Sequence, residues 1–113
     1  TYEFIAKQTG GVVITISSVY GKEAGPKPGF TAAKAAQIAF MKSCAIHQYD
    51  GYRFNTVCPG MIDTGKFTKE QMSKHIIGSP EHVAPVVAFL CSDLAKHING
   101  ACIVVDGGES HSF

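Results

Sequence analysis

The 113-residue chain is long enough for one domain of ordinary size, and its content of 45% apolar and 17% charged residues is typical of a folded protein rather than a disordered one. Its net charge of +1 provides no basic surface, which argues against nucleic acid as a partner. No apolar run approaches the ~20 residues that a membrane span needs, and no export leader is visible, so we expect a cytoplasmic protein without a membrane partner.

The amino-terminal third predicts a helix end, a strand and a loop. Residues 1–8 carry apolar side chains suited to the last turns of a helix, which Gly10-Gly11 ends. Residues 12–16 are a β-branched run, typical of a strand buried on both faces. Residues 17–29 are rich in Gly, Pro and Ser and predict a loop.

The middle third predicts a helix and a second strand. Residues 31–48 have helical spacing and many alanines, which suit close packing against a sheet or another helix. Asp50-Gly51 predicts a turn. Residues 52–58 alternate in polarity and predict a strand that Pro59-Gly60 ends.

The last third predicts another helix and a third strand. Ser79-Pro80-Glu81 combines a capping hydroxyl, a proline at the first helical position and an acid in the first turn. Pro85 lies inside this helix and should bend it or remove one backbone hydrogen bond. Residues 101–105 predict a strand after the Asn99-Gly100 turn. The predicted buried side of the helix comprises Val83, Val86, Val87, Phe89 and Leu90.

The alternation of apolar strands with helices indicates an α/β fold with a parallel sheet and crossover helices. Three strands and two helices make one half of a doubly wound sheet. The four cysteines each lie in an apolar stretch and lack metal-ligand spacing, and the five histidines add no close-spaced ligands. We therefore expect no metal site and four reduced core thiols, namely Cys44, Cys58, Cys91 and Cys102.

Chemically useful residues follow the first two strands. Ser18 comes just after the first strand, at the carboxyl edge where open α/β sheets bind ligands. Phe30 and Lys34 are four residues apart at the start of the helix and share a face. The segment Pro59-Gly60-Met61-Ile62-Asp63-Thr64 follows the second strand, so it lies at the same edge.

These segments resemble the catalytic half of the short-chain dehydrogenase/reductase family, whose helix opens with Tyr-x-x-x-Lys. Ser18 matches the serine that bonds the substrate oxygen, Lys34 matches the lysine that lowers the tyrosine pKa and binds the nicotinamide ribose, and Phe30 replaces the proton-donating tyrosine. The resemblance implies NAD or NADP as cofactor, bound by Lys34 and by Pro59, Gly60, Ile62 and Thr64. Tyr20 and Met61 are the expected substrate-pocket residues.

Phe30 leaves three functions open. The first is an NAD(P)-dependent oxidoreductase that transfers hydride to or from a small-molecule carbonyl or alcohol, although loss of a general acid costs ~10²–10⁴-fold in rate. The second is a catalytically inactive relative that acts as a binding or scaffold subunit. The third is a reductase of activated double bonds with another proton donor, for which Tyr20 is a candidate unless it only lines the pocket.

The resemblance covers residues 1–113 but only the catalytic half of the Rossmann-type fold. No glycine-rich phosphate turn is present, so we expect weak or no cofactor binding by this chain alone. We expect a fragment of a longer protein; the alternative is a natural half-length protein that pairs to complete its sheet. Residues 65–78 match the family's variable substrate cover. The resemblance also implies a homodimer or homotetramer, with interfaces on residues 31–48, 80–92 and 101–106.

Overall fold

The computed structural model describes residues 10–47 and 49–113, so the helix end expected over residues 1–8 lies outside the described residues. Two single-turn 3₁₀ helices, Val19–Gly21 and Asp93–Ala95, accompany the regular elements. In chain order the regular elements are β1 (Gly11–Ile16), α1 (Pro28–Ile46), β2 (Tyr52–Pro59), β3 (Met61–Ile62), α2 (Lys69–Lys74), β4 (Ile77–Gly78), α3 (Pro80–Cys91) and β5 (Cys102–Val105).

The main sheet has three parallel strands in the order β1-β2-β5, which confirms the predicted fold class. Val13 pairs with Phe54 between β1 and β2, and Val57 pairs with Ile103 between β2 and β5. Each pair of neighbouring strands is joined by a segment that contains a helix, α1 in the first crossover and α3 in the second. This connection is the one that parallel strands require.

Each face of the sheet packs against one helix. On one face, Met41 and Ala45 of α1 pack with Tyr52 and Phe54 of β2. On the opposite face, Leu90 of α3 packs with Val57 and Ala95. Because β2 is central, six of its eight residues are buried and two are partly buried, as expected for a strand covered on both sides.

Helix α1 begins three residues earlier than its spacing predicted. Pro28 occupies the first turn, where its missing N–H costs no helical hydrogen bond. Phe30 therefore lies within the helix, as the four-residue spacing to Lys34 requires. The segment predicted as a loop also contains the 3₁₀ turn Val19–Gly21, which Ser18 caps by accepting a hydrogen bond from the backbone N–H of Tyr20.

Several expectations about burial were wrong. β1 was expected to be buried on both faces, but its inner residues are only partly buried and its two ends are exposed, because it lies at the edge of the main sheet. Phe89 was assigned to the buried side of α3 but is 43% exposed, because α3 contacts the sheet along the stripe that ends at Leu90. Cys91 was expected in the core but is exposed at the last position of α3. The other three cysteines are buried or partly buried, and all four are free thiols.

The segment expected to cover the substrate contains more structure than the sequence predicted. Residues Met61–Ile62 and Ile77–Gly78 form a two-stranded parallel ladder, and Thr68 caps the short helix α2. Asp63 extends this ladder because its N–H donates to Gly78 O at 2.8 Å. Among the helices that the structure describes, none has the length and apolar character to cross a membrane.

Candidate active site

The carboxyl ends of β1 and β2 open onto a cleft of about 710 Å³ between α1 and α3. Several residues that the sequence singled out meet at this cleft. They are Ser18, Phe30, Lys34, Pro59, Gly60 and Ile62. The topology explains this meeting, because parallel strands place their carboxyl ends at one edge of the sheet.

Close contact with α1 fixes the loop that carries Ser18. Ser17 Oγ donates to the backbone carbonyl of Lys34 at 2.8 Å. A Cβ on Gly21 would lie only 2.8 Å from the Lys34 carbonyl carbon, so only glycine allows the 3₁₀ turn to approach the helix this closely. The loop and the first turns of α1 are thus one packed unit, and Ser18 and Lys34 are held on the same side of the cleft.

Lys34 is held by two interactions at the edge of β1. Its Nζ donates to the backbone carbonyl of Ile16 at 3.2 Å. The same ammonium lies 5.6 Å from the centroid of the Phe30 ring, within the usual range for a cation–π contact. Phe30 is 45% exposed, so its ring forms part of the cleft surface rather than of the core. Phe30 thus presents an apolar ring beside a fixed positive charge.

The Pro59–Ile62 turn forms the second wall of the cleft. Gly60 N–H donates to Val105 O at 2.9 Å, and a Cβ on Gly60 would lie 2.7 Å from Asp106 Cβ. Asp106 Oδ1 accepts from Gly108 N, and its Oδ2 accepts from Ser110 N. The Ser110 hydroxyl, followed by these backbone N–H groups, lowers the pKa of the Asp106 carboxyl. A charged Asp106 therefore organises the turn after β5, against which Gly60 packs.

A second cavity of about 300 Å³ adjoins the cleft and shares Ser18, Phe30, Gly60 and Ile62 with it. Tyr20 and Met61, the expected substrate-pocket residues, line this cavity together with Phe67 of the segment that covers it. Thr64 is exposed and lines neither of these two cavities. Its expected contact with the cofactor stays a prediction.

Sequence reasoning missed one wall of the large cleft. Pro80, Val83, Ala84 and Val87 of α3 line it, and their spacing of i, i+3, i+4 and i+7 is that of a single helical face. Val83 and Val87 were assigned to the buried side of α3, yet they are only partly buried. The sequence did contain this pattern, because these four residues form a second apolar stripe on α3, beside the stripe that ends at Leu90.

Comparison with known proteins identifies the family of this chain. The family model described as enoyl-(acyl carrier protein) reductase matches residues 2–110. The 3-oxoacyl-(acyl-carrier-protein) reductase of Aquifex aeolicus is 39% identical in an alignment of 114 positions that covers 90% of this chain and 46% of that protein. A short-chain dehydrogenase structure from Bacillus anthracis superposes with a TM-score of 0.82 at 34% identity, over 99% of this chain and 49% of that one. The chain belongs to the short-chain dehydrogenase/reductase family.

The chain spans about half the length of the curated relatives that it matches, as the carboxyl-terminal half of a family member would. One solved relative, 4-hydroxyisoleucine dehydrogenase, contains NADH and superposes with a TM-score of 0.81 at 30% identity, over 87% of this chain and 46% of that one. In this chain, the cleft combines apolar walls from Ile16, Val83 and Val87 with the fixed ammonium of Lys34. Apolar walls beside an ammonium are compatible with a flat aromatic ring joined to a sugar that carries hydroxyl groups, as in nicotinamide riboside.

Proposed function

We propose that this chain is the substrate-side half of an NAD(P)-dependent oxidoreductase whose parent reaction transfers hydride to or from a carbonyl or alcohol. One observation carries the proposal: Ser18, Lys34 and Phe30 border one cleft, with the Lys34 ammonium 5.6 Å from the centre of the Phe30 ring. Of the polar side chains that the resemblance assigns to the site, Ser18 and Lys34 border this cleft, and residue 30 lacks the hydroxyl.

Each residue has a distinct task in this proposal. Ser18 Oγ binds the substrate oxygen, and the Lys34 ammonium, held by Ile16 O, binds a ribose hydroxyl of the cofactor. The backbone of Pro59, Gly60 and Ile62, together with the Thr64 hydroxyl, borders the nicotinamide. When bound, the cofactor supplies or accepts the hydride. Phe30 has no proton to give, so a carbonyl oxygen that gains negative charge at Ser18 receives no proton from residue 30.

The whole protein is proposed to bind NAD or NADP and to form a homodimer or homotetramer, with a small molecule as substrate. In isolation this half should bind the dinucleotide weakly, since a phosphate site formed by a glycine-rich turn and a helix amino terminus is not among its motifs. The exposed apolar side chains of α1, Phe40 and Ile46, support association through that helix.

Restoring the hydroxyl tests the proposal. In the protein at its natural length, Phe30→Tyr should raise kcat for carbonyl reduction by ~10²–10⁴-fold, because a positioned general acid contributes that much. NAD(P)H absorbance gives the rate, and titration of cofactor fluorescence gives binding. Phe30→Leu is the matched control, since it changes the ring without adding a proton donor, and it should leave kcat at the parent level. A protein that binds neither NADH nor NADPH would overturn the proposal.

A second candidate function is reduction of an activated double bond with another proton donor. Tyr20 lines the same cavity as Ser18 and Phe30, and the matching family model is described by an enoyl reductase activity. If Tyr20 is the donor, Tyr20→Phe should lower kcat for an enoyl thioester by ~10²-fold or more. Unchanged turnover would remove Tyr20 from this role. Cofactor binding without turnover on any carbonyl or enoyl substrate, even with Phe30→Tyr, would instead favour an inactive binding subunit.

A further inference from the structure

Two cysteines on neighbouring strands of the main sheet contact each other. Cys58 Sγ and Cys102 Sγ are 3.1 Å apart. The register pairs Cys58 with Val104 and Thr56 with Cys102, so the two cysteines are diagonal neighbours on the same face of β2 and β5. The α/β core and the proposed hydride chemistry need neither thiol, so this contact calls for a separate explanation.

The two thiols differ in access and in acidity. Cys58 is fully buried, whereas Cys102 is partly exposed. The hydrogen bond from the Cys58 thiol lowers the pKa of Cys102 to about 7, and the nearby Lys22 ammonium acts in the same direction. The same hydrogen bond, together with burial, raises the pKa of Cys58. At neutral pH, therefore, Cys102, the less buried of the two residues, carries much of the thiolate, which is the nucleophilic form.

We propose that Cys58 and Cys102 are a reversible dithiol switch that a hydroperoxide oxidises to an intramolecular disulfide. The Cys102 thiolate attacks one peroxide oxygen; an S–O bond forms, the O–O bond breaks, and the leaving oxygen takes a proton. The Cys58 sulfur then attacks the Cys102 sulfenic acid; the S–S bond forms, the S–O bond breaks, and the released hydroxide becomes water with the Cys58 proton. Two thiols lose two electrons in total, and hydrogen peroxide becomes two waters.

Closing this bond should alter the cleft. From strand spacing and rise, diagonal neighbours have Cα atoms about 8 Å apart, whereas a disulfide spans about 4.4–6.8 Å. The end of β2 and the start of β5 must therefore approach each other. Cys58 directly precedes Pro59, and the Ser18 backbone acts on its thiol, where it opposes the rise of the Cys58 pKa. Two elements of the cleft, the Ser18 loop and the Pro59 turn, would thus move when the thiols are oxidised. The switch itself does not depend on the proposed hydride transfer.

The test uses the chain with Cys44→Ala and Cys91→Ser, which leaves only the two thiols in question. Hydrogen peroxide should remove both titratable thiols together, lower the intact mass by two hydrogens, and yield one peptide that links Cys58 to Cys102. Dithiothreitol should restore both thiols. Cys102→Ser in this background should slow the oxidation of Cys58 at least tenfold, because the buried thiol then has no reactive partner. Cys58→Ser should leave a sulfenic acid at Cys102 that dimedone traps.

Three results would overturn the switch: a sulfinic acid at Cys102 beside a free Cys58, disulfides formed only between chains, or no change in either thiol after peroxide. The peptide map can also be made on the chain without any substitution, so the test does not depend on whether the serine variants fold. Oxidation in urea is the control for proximity, since unfolding separates the two strands and should slow formation of the linked peptide.

Discussion

At the scale of single residues, Asn55 connects the centre of the sheet to the turn before β5. It is fully buried; its Nδ2 donates to Ile98 O at 2.9 Å, and its Oδ1 accepts from Ala101 N at 2.9 Å. Asn55→Leu should therefore lower the free energy of unfolding by about 2–4 kcal/mol, mainly because the Ala101 N–H loses its partner. Urea unfolding followed by circular dichroism measures the change.

The matched control for Asn55 is Gln37, a polar residue exposed on α1. Gln37→Leu should change the free energy of unfolding by less than about 0.5 kcal/mol. If Asn55→Leu were as mild as this control, the two hydrogen bonds would not hold the turn in place.

Asp106 makes stability depend on pH. Hydrogen bonds from Ser110 and Gly108 lower its pKa from the ordinary 3.8 in the folded state. Its stabilising contribution is therefore complete above the unfolded value and is lost as the pH falls through the lower folded value. Asp106→Asn should lower the free energy of unfolding at pH 7 and should have a smaller effect at pH ~2, where more of the carboxyl is protonated in the folded state. Urea titrations at the two pH values measure this difference.

The exposed Asp93 supplies the control for this measurement. Asp93→Asn, treated in the same way, should show a smaller difference between the two pH values than Asp106→Asn. An equal loss for Asp106→Asn at both pH values would show that its hydrogen bonds do not depend on its charge.

At the scale of elements, the Val19–Gly21 turn packs closely against α1. A Cβ on Gly21 would lie 2.8 Å from Ile38 Cδ1 and equally close to the Lys34 carbonyl carbon. Gly21→Ala should therefore push the turn away from the helix and destabilise the fold by about 1–3 kcal/mol. Gly29 is the matched control, since no atom beyond its chain neighbours and the adjacent backbone of α1 lies within 4 Å of its Cβ position. Gly29→Ala should be neutral or stabilise by up to about 1 kcal/mol.

The longer elements could be predicted from the sequence because their signals are local. The β-branched run of β1 and the Ser79-Pro80 start of α3 are each contained in a few neighbouring residues. The β3–β4 ladder could not be predicted, because each strand has two residues and the paired residues are sixteen positions apart in the sequence. The start of α1 was placed too late because Gly29 was assigned to the loop, although Pro28 is a recognised first-turn signal.

The candidate site was predictable for a different reason. Ser18 and the Pro59 turn each follow a parallel strand, so the topology alone brings them to one edge. The α3 wall and the Cys58–Cys102 contact depend instead on how a helix is rotated against the sheet and on the strand register. Neither property is contained in a local pattern, and a shift of one residue in register would turn each side chain to the other face.

At the scale of the whole molecule, β1 is an edge strand of the main sheet, whose strands lie in the order β1-β2-β5. Gly11 N and Ser17 N donate toward β2, to Gly51 O and Val57 O, so the alternate residues Val12, Ile14 and Ile16 direct their backbone groups outward. The carbonyl oxygen of Ile16, one of these outward groups, accepts a hydrogen bond from the Lys34 ammonium. In the ranges 10–47 and 49–113, no strand pairs with this edge. Such an edge is a template for pairing with another chain.

The isolated chain should therefore associate with itself at micromolar concentrations. Sedimentation velocity over a range of concentrations measures this association. Val12→Pro should weaken it while preserving the fold, because a proline on the outer edge removes only an outward N–H. Val13→Pro is the control at the neighbouring position, and it should unfold the chain because it removes a hydrogen bond to β2. If Phe40→Asp dissociates the oligomer while a folded Val12→Pro associates as before, the exposed face of α1 is the interface and the β1 edge is not.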